Sequence, residues 1–249
     1  MSKRVTGGIV TYNNEDTIER CIDSVLKFTV DCDFELYVYD NGSVDHTVDI
    51  IRRCFPQVKV VVGTKNLGFG GGHNRIMKHL ISDFHVIINP DIELRENVIG
   101  AMAEYMDKNA DVVQVTTEVR NLDNTIQYLP KVDPNFKYVV LSKLKPFRKY
   151  RSMYTQEFVD FDGPTEILSS TGCFSMVRTT AFKSINGYDQ RFFLYFEDAD
   201  LSRRLREIGK IIFLPDLYVY HAWKRDNTRS IKGIMIFLNS MFKYYKKWR

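Results

Sequence analysis

The sequence predicts an α/β fold built on a mostly parallel sheet with helices on both faces. Short apolar runs alternate with segments whose apolar residues recur at helical spacing, and this alternation continues through the first half of the chain. Polar side chains follow several of the apolar runs directly. Because ligands bind beyond the carboxyl ends of the strands in such sheets, these polar residues are the candidates for a functional site.

The predicted elements follow one another in a regular order up to about residue 118. Predicted strands cover 5–12, 34–39, 58–62, 84–88 and 112–116, and predicted helices cover 18–26, 44–54, 72–82 and 96–108. The pattern breaks over 120–166, where prolines and basic and aromatic residues indicate a long irregular excursion, which is usually functional. Strands are predicted again at 173–177, 211–214 and 217–220, with helices at 180–185 and 197–208.

Composition excludes several classes of function. The chain has 249 residues, 44% of them hydrophobic, which allows a sizeable core. Its net charge of +4 gives no reason to expect nucleic acid as a partner. The four cysteines have no metal-ligand spacing, and neither a secretory signal nor an apolar run of about 18 residues is evident. We therefore expect a cytoplasmic location, with contact to a membrane surface left open.

Polar residues follow the first two predicted strands. Thr11, Tyr12 and Asn13 come after the first strand, and the run Asp40-Asn41-Gly42-Ser43 comes after the second. A carboxylate at a strand tip, followed by a glycine turn and a helix, can hold a ribose hydroxyl or a base edge. The same pattern describes ordinary capping of the next helix by Asp40 or Ser43. The residues alone leave both interpretations open.

A glycine-rich run follows the third predicted strand. Four glycines fall within the five residues from Gly68 to Gly72, between Asn66 and Asn74. Glycines allow backbone N–H groups to approach a charged ligand, and the helix N-terminus that follows favours anions. The run matches neither the dinucleotide-binding fingerprint nor the P-loop, which disfavours a dehydrogenase or a P-loop enzyme. A flexible turn is the alternative.

Carboxylates stand at two further places. Asn89-Pro90-Asp91 follows the fourth strand, where Asp91 can bind Mg²⁺ or Mn²⁺ together with substrate phosphates, or simply cap the next helix. Glu197, Asp198 and Asp200 open a helix in the second half, and helix capping accounts for only one of the three. His221 follows a predicted strand, where a structural role and a metal-ligand role are both open.

Taken together and in this order, these residues resemble glycosyltransferase family 2, whose members share the GT-A fold. The resemblance spans residues 5 to about 225 and is strongest to bacterial rhamnosyltransferases of surface-polysaccharide assembly. Asn89-Pro90-Asp91 stands where many members carry a more acidic Asp-x-Asp. The matching stretches are Thr11–Asn13, Asp40–Asp45, Asn66–Asn74, Asn89–Asp91 and Phe196–Arg204.

The resemblance implies an inverting transferase. The donor would be a nucleoside diphosphate sugar, best matched by dTDP-L-rhamnose, and the acceptor a hydroxyl of a lipid-linked saccharide in bacterial cell-surface polysaccharide synthesis. Asp198 would be the general base. Asp91 and His221 would hold Mg²⁺ or Mn²⁺. The implied substrate-binding residues are Thr11, Tyr12, Asn13, Asp40, Asn41, Ser43, Asn66, Gly68, Gly72, Asn74, Asn89, Glu197 and Arg229.

We expect a single GT-A catalytic domain over 1–228, with a nucleotide-sugar-binding half at 1–118 and an acceptor-binding, catalytic half at 119–228. A C-terminal amphipathic helix is predicted over 229–249. Its apolar stripe suits either docking on the domain or contact with the inner face of the plasma membrane. The stripe consists of Ile234, Met235, Leu238, Met241, Phe242, Tyr245 and Trp248.

Three other functions remain open at this stage. The first is a transferase of the same family that uses another UDP- or GDP-sugar. The second is a nucleotidyltransferase, which would normally carry a basic phosphate-binding loop near the first strand, whereas Thr11–Asn14 is neutral. The third is a sugar- or nucleotide-binding module without catalysis, which Asp91, Glu197 and Asp198 argue against.

Overall fold

The structure, a computed structural model, describes residues 3–128, 130–140, 149–222 and 230–249. The strands are β1 (Arg4–Thr11), β2 (Asp33–Asp40), β3 (Lys59–Val62), β4 (Phe84–Ile88), β5 (Ile92–Glu93), β6 (Val112–Arg120), β7 (Ile126–Gln127), β8 (Thr165–Glu166), β9 (Phe174–Arg178) and β10 (Lys210–His221). The helices are α1 (Ile18–Phe28), α2 (Thr47–Cys54), α3 (Gly68–Met77), α4 (Val98–Lys108), α5 (Phe136–Val139), α6 (Lys149–Thr155), α7 (Thr179–Ser184), α8 (Glu197–Leu205) and α9 (Ile231–Lys247).

The strands form one mixed sheet in the order β3-β2-β1-β4-β9-β6-β10-β5. Strands β1 to β4 run parallel to their neighbours in the first half of the sheet, and β6 runs parallel to β10. Strand β9 lies antiparallel between β4 and β6. The structure confirms the predicted α/β class, with a sheet whose parallel segments are joined by one antiparallel strand.

The central strands are buried on both faces by helices. On one face Ile9 of β1 and Val86 of β4 pack with α1, α2 and α4, and on the other face Val10 and Ile87 pack with α3, α7 and α8. Apolar residues therefore occupy consecutive positions in β1 and β4, as expected of a strand covered on both sides. Neither strand has an acidic or basic side chain that is ionised within its buried length, and polar side chains follow both strands at their carboxyl ends, where the site described below lies.

Two predicted elements differ from the observed ones. The helix predicted to begin at residue 72 begins at Gly68, so the glycines form its first turns instead of a loop before it. The strands predicted at 211–214 and 217–220 are one strand, β10, with a register shift between Leu214 and Tyr218. Pro215 lies at this shift, and a proline cannot donate a hydrogen bond to the ladder.

Helix α9 presents two apolar faces instead of the single predicted stripe. Phe237, Met241 and Tyr244 pack against Phe192 and Phe196 of the domain. Five apolar residues of α9 point outward, with exposures from 47% to 80%. They are Ile231 and four members of the predicted stripe, Ile234, Met235, Leu238 and Phe242. The stripe was predicted from helical spacing alone, which cannot tell which side meets the domain. In the described part of the chain no helix is long and apolar enough to cross a bilayer.

Two fully buried histidines, His73 of helix α3 and His85 of β4, meet between the helix and the sheet. The His85 ring of β4 donates from Nδ1 to the carbonyl of Thr6, 3.1 Å away, and stacks on Phe182. Burial lowers the pKa of His85 to about 4, against a smaller opposing effect of the Thr6 hydrogen bond. Burial, followed by the neighbouring His85, lowers the pKa of His73 as well. Both side chains are therefore neutral in the folded protein near pH 7.

We predict that buried His85 contributes a loss of folding stability as the pH drops from about 6.5 towards about 4. In this window the unfolded chain binds a proton that folded His85 does not, and the loss from His85 alone is on the order of 3 kcal/mol. Urea unfolding between about pH 7.5 and about pH 4.5 measures it. His85→Phe should flatten the slope, whereas His46→Gln, at an exposed position, should not. Equal slopes for His85→Phe and the wild type would contradict the prediction.

Candidate active site

The residues at the ends of β1 and β2 are linked by hydrogen bonds. Thr11 pairs with Asp40 across the two strands, and both residues are buried. The Asp40 carboxylate accepts hydrogen bonds from the backbone N–H groups of Gly42 and Ser43, each at 2.9 Å, and from the Ser43 hydroxyl. The Ser43 hydroxyl in turn accepts from the backbone N–H of Asn13 at 2.9 Å. These contacts are those of a turn-forming carboxylate. Neither Asp40 nor Ser43 caps the next helix, because α2 begins only at Thr47 and its N-cap position is His46.

Tyr12 and Asn13 are both exposed at this edge. The side chain of Tyr12 is 47% exposed, and its backbone N–H donates to Asn14 Oδ1 at 3.0 Å. Asn13 has a left-handed φ of 55°, and its side-chain oxygen accepts from the N–H of Val44. At this edge an exposed aromatic ring therefore lies next to polar groups that are already hydrogen-bonded within the protein. The substrate-binding roles of these residues stay predictions.

The glycine-rich helix α3 is held by side chains on both sides of it. Asn41 accepts from the N–H of Leu67 at 2.9 Å and donates to the carbonyl of Gly68 at 3.3 Å. Asn66 accepts from the N–H of Gly68 at 2.8 Å. Gly68 has a φ of +76°, and a Cβ there would lie 2.1 Å from the carbonyl oxygen of Phe193. A side chain at this position is therefore excluded both by backbone conformation and by space.

The glycines serve close packing and not an open anion loop. A Cβ on Gly72 would lie 2.6 Å from Val10 on the sheet. The first N–H groups of α3 are directed at protein, since Phe69 donates to the carbonyl of Phe193 at 3.2 Å. The Asn74 amide makes paired hydrogen bonds with the backbone of Tyr188, at 2.7 and 2.8 Å. Helix α3 thus joins the first half of the chain to the segment that precedes Glu197.

Asp91 and His221 come together at the carboxyl edge. Strand β5 pairs with the end of β10, placing His221 opposite Ile92, and the N–H of Ala222 donates to the carbonyl of Asp91 at 3.0 Å. As a result His221 Nε2 lies 3.1 Å from Asp91 Oδ1, with Asn89 Nδ2 at 3.5 Å from the same nitrogen. The structure brings together the two residues predicted to bind a metal, although 130 positions separate them in sequence.

An open cleft of about 500 Å³ lies beside this pair. It is lined by helix α1 on one side and by the turn after β6 on the other, with His221 between them. In the described ranges no group of three or more His, Cys, Asp or Glu side chains is placed to hold a metal ion. A cation held here would need further oxygen ligands from substrate and water, as is common for Mg²⁺ sites.

Glu197 and Asp198 begin helix α8 immediately after a strained turn. Tyr195 and Phe196 both have left-handed φ angles, 71° and 65°, which non-glycine residues adopt only when the surrounding structure holds them there. Phe196 packs against Tyr244 of α9 with ring centroids 5.4 Å apart. The C-terminal helix therefore helps to hold the turn that presents the two acids.

The two acids differ in environment. Glu197 is 6% exposed, and burial, followed by the nearby charge of Asp198, raises the pKa of Glu197 to about 8. Asp198 is partly exposed and accepts from the N–H of Ala199 at 2.8 Å and of Gly172 at 3.4 Å. At neutral pH Glu197 is therefore mostly protonated, and Asp198 is the accessible carboxylate of the pair.

The segment containing Gly172 and Cys173 links the two acidic centres. Gly172 contacts Asp198 as described, and the carbonyl of Cys173 accepts from the N–H of Asn89 at 2.8 Å, two residues before Asp91. Burial raises the pKa of Cys173 to about 12, and the charges of Asp91 and Asp198 both contribute to this shift. The predicted base Asp198 and the predicted metal ligand Asp91 thus border the same short stretch at the edge of the sheet.

Asp200 has a structural environment instead of a catalytic one. Its side chain is fully buried and accepts from Arg204 Nε at 2.8 Å and from the Trp248 indole at 2.9 Å. Lys247 Nζ lies 2.5 Å from the same carboxylate. A buried carboxylate held by two cations and an indole fixes the end of α9 to the helix that carries Asp198.

Arg229, predicted to cover the diphosphate, lies outside the described residues. Gln127, which was not predicted, contacts the imidazole of His221 at 3.0 Å from a two-residue strand in the irregular excursion. No local pattern marks Gln127, because its role depends on a partner 94 positions away.

The family is decided by comparison with known proteins. The model of glycosyl transferase family 2 matches residues 8–185, well over half of the chain. The chain belongs to this family. Asp40 and Asp91 lie within the matched residues, whereas Asp198 lies beyond them, and the match confirms the resemblance drawn from the sequence.

Two proteins similar to this chain are rhamnosyltransferases. The N-acetylglucosaminyl-diphospho-decaprenol L-rhamnosyltransferase of Mycobacterium tuberculosis is 26% identical over 89% of this chain and 76% of its own length. Rhamnosyltransferase WbbL of Escherichia coli K12 is 23% identical over 97% of this chain and 92% of its own length. The chain is thus a glycosyltransferase that resembles rhamnosyltransferases along most of its length.

Solved structures show the fold. The mannosyltransferase PcManGT from Pyrobaculum calidifontis, in complex with GDP-Man and Mn²⁺, superposes with a TM-score of 0.68 at 15% identity. The superposition covers 99% of this chain and 65% of the mannosyltransferase chain, so this chain spans less than two thirds of that protein. The shared fold confirms the predicted GT-A architecture.

Proposed function

We propose that this glycosyltransferase transfers L-rhamnose from dTDP-L-rhamnose to a hydroxyl of a lipid-linked saccharide, with inversion at the anomeric carbon. The observation that carries the proposal is the position of Asp91 and Asp198 on either side of Gly172 and Cys173. This arrangement suits a donor diphosphate near the first acid and an acceptor hydroxyl near the second. The names of the two rhamnosyltransferases support rhamnose as the sugar, and that of the Mycobacterium tuberculosis enzyme supports a lipid-linked acceptor.

The residues at the first acid fit a divalent cation, Mg²⁺ or Mn²⁺. Asp91 offers a carboxylate oxygen and His221 an imidazole nitrogen 3.1 Å apart, and the Asp91 side chain is 19% exposed. A pair of this kind leaves room for ligands from a diphosphate. When bound, such a cation stabilises the charge that develops on a departing diphosphate. Mn²⁺ in the solved mannosyltransferase supports the same chemistry here.

Asp198 serves as the general base in this proposal. Its partly exposed carboxylate can accept the proton of the acceptor hydroxyl while that oxygen attacks the anomeric carbon. Protonated Glu197 beside it keeps a second negative charge away from the attacking oxygen. Donor and base then lie on opposite faces of the sugar, which gives inversion. The nucleotide is proposed to lie over Tyr12 at the tips of β1 and β2, and Arg229 to cover its diphosphate.

A lipid-linked acceptor requires access to a membrane surface, and the outer face of α9 suits this. Ile231, Met235, Leu238 and Phe242 are exposed, and the helix contains no acidic residue. Lys232 and Lys246 flank the apolar stripe and are exposed. An apolar stripe bordered by lysines is typical of helices that lie in the interface of anionic membranes. We propose that α9 rests on the inner face of the plasma membrane.

We predict that dTDP-L-rhamnose raises the melting temperature more than UDP- or GDP-sugars do. A ligand at about one hundred times its Kd adds about 2.7 kcal/mol to stability, a shift on the order of 5 °C for a chain of this size. Thermal shift with Mn²⁺ and with chelator measures both donor and metal. Asp91→Ala should remove the Mn²⁺-dependent part. A larger shift with another sugar would identify a different donor.

Asp198→Asn should abolish transfer while leaving the donor-induced thermal shift unchanged. Loss of a general base lowers the rate by about 10²- to 10⁴-fold, whereas donor binding does not involve this carboxylate. Product formation by mass spectrometry, with NMR of the anomeric configuration, provides the readout. Asp23→Asn, at an exposed position on α1, is the matched control. Near-normal turnover of Asp198→Asn would exclude Asp198 as the base.

Replacing Leu238 and Phe242 together by serine should weaken binding to anionic vesicles at least tenfold. Each side chain contributes roughly 1.5–3 kcal/mol when buried in an apolar phase, and about 1.4 kcal/mol corresponds to a factor of ten. Co-sedimentation with vesicles containing phosphatidylglycerol measures the binding. Ile81→Ser, at an exposed apolar position outside α9, is the control. Unchanged vesicle binding by the double variant would contradict the proposed membrane face.

A further inference from the structure

Gln127 is placed to control the side chain of His221. It is 8% exposed, and it lies in β7 next to Val119 of β6. Its amide oxygen lies 3.0 Å from His221 Nδ1, and its amide nitrogen donates to the carbonyl of His221 at 3.1 Å. A single side chain therefore contacts both the ring and the backbone of the same histidine.

The direction of these hydrogen bonds follows from a series of side-chain hydrogen bonds that begins at Asp123 and ends at Gln127. The Asp123 carboxylate only accepts, so the Thr125 hydroxyl donates to it at 2.6 Å. The Thr125 oxygen can then accept from the Asn121 amide nitrogen at 2.8 Å. That leaves the Asn121 oxygen to accept from the amide nitrogen of Gln127 at 2.7 Å.

This series of hydrogen bonds therefore determines which nitrogen of His221 carries the proton. Both donors of the Gln127 amide nitrogen are directed at oxygens, those of Asn121 and of the His221 backbone. The Gln127 oxygen consequently faces the ring and accepts a hydrogen bond, so Nδ1 bears the hydrogen. In the neutral ring Nε2 then presents its lone pair towards Asp91 Oδ1, 3.1 Å away.

We propose that Gln127 is a positioning residue that holds His221 in the Nδ1–H tautomer, so that Nε2 is directed at a divalent cation shared with Asp91. Two electron-rich atoms 3.1 Å apart are well arranged for a common cation between them. Histidines that bind metals donate their other N–H to an oxygen nearby, and loss of that oxygen typically weakens metal affinity 10- to 100-fold. This inference rests on the metal site of the proposed function.

The tautomer is measured without any metal. In ¹⁵N-labelled, metal-free protein, correlation NMR of the imidazole nitrogens is expected to show His221 with a protonated Nδ1. His221→Gln identifies the signals, and they should move towards the Nε2–H form in Gln127→Leu. Finding Nε2–H in the wild type would overturn the inference, even if Gln127→Leu failed to fold.

Binding of Mn²⁺ alone, followed by electron paramagnetic resonance, tests the consequence for affinity. Gln127→Leu should bind Mn²⁺ about 10- to 100-fold more weakly, whereas Gln127→Glu, which keeps an oxygen for Nδ1–H, should lie close to the wild type. Gln114→Leu replaces another buried glutamine of the sheet, one that bonds Ser175, and should have no effect.

The outcomes separate this inference from the proposed function. Wild-type Mn²⁺ affinity in Gln127→Leu would overturn the positioning role. Unchanged Mn²⁺ binding in Asp91→Ala would contradict the metal site itself, while the tautomer of metal-free His221 would still decide the role of Gln127. Equal loss in Gln127→Leu and Gln127→Glu would show that the oxygen facing Nδ1 is not what matters, and would also overturn the proposal.

Discussion

Burial of β1 and β4 on both faces is the constraint on which the rest of the structure depends. A strand covered by helices on each side has no place along its length for a charged side chain, because an isolated buried charge is too costly. The polar residues that follow these strands are therefore gathered at one edge, where Thr11, Asp40 and Asp91 end or follow neighbouring strands. The antiparallel β9 enters the same edge from the other half and brings Cys173 beside Asn89.

The second half of the site depends on a buried charge cluster and on helix α9. Asp200 holds Arg204, Lys247 and Trp248 together, two residues from the accessible carboxylate of Asp198. The aromatic residues of α9 also support the left-handed turn at Tyr195 and Phe196. The C-terminal helix thus has a structural task towards the domain, and its outer face is left for other contacts. Docking on the domain, one of the two interpretations drawn from the sequence, describes its inner face.

The parts that could be predicted from sequence are those with a local signal. Buried strands and the acids after them appear as short apolar runs followed by Asp or Asn, so Asp91 was placed at the sheet edge from its neighbours alone. The start of α3 was missed because four glycines disfavour a helix, and only close packing against Val10 and Phe193 explains them. The partners of Asp200 and the contact of Gln127 with His221 join residues 48 and 94 positions apart, which no local pattern records.

The contacts of helix α3 bear on how this enzyme can be re-engineered. Gly68 packs closely against the carbonyl of Phe193, and Asn74 is hydrogen-bonded to the backbone of Tyr188. The two halves of the chain therefore share a closely packed interface, or seam, at these residues. A chimaera that exchanged the amino-terminal half with that of a relative, joined near residue 119, would mismatch this seam. Residues 187–193 contact the amino-terminal half. A chimaera would therefore have to take these residues from the same protein as its amino-terminal half.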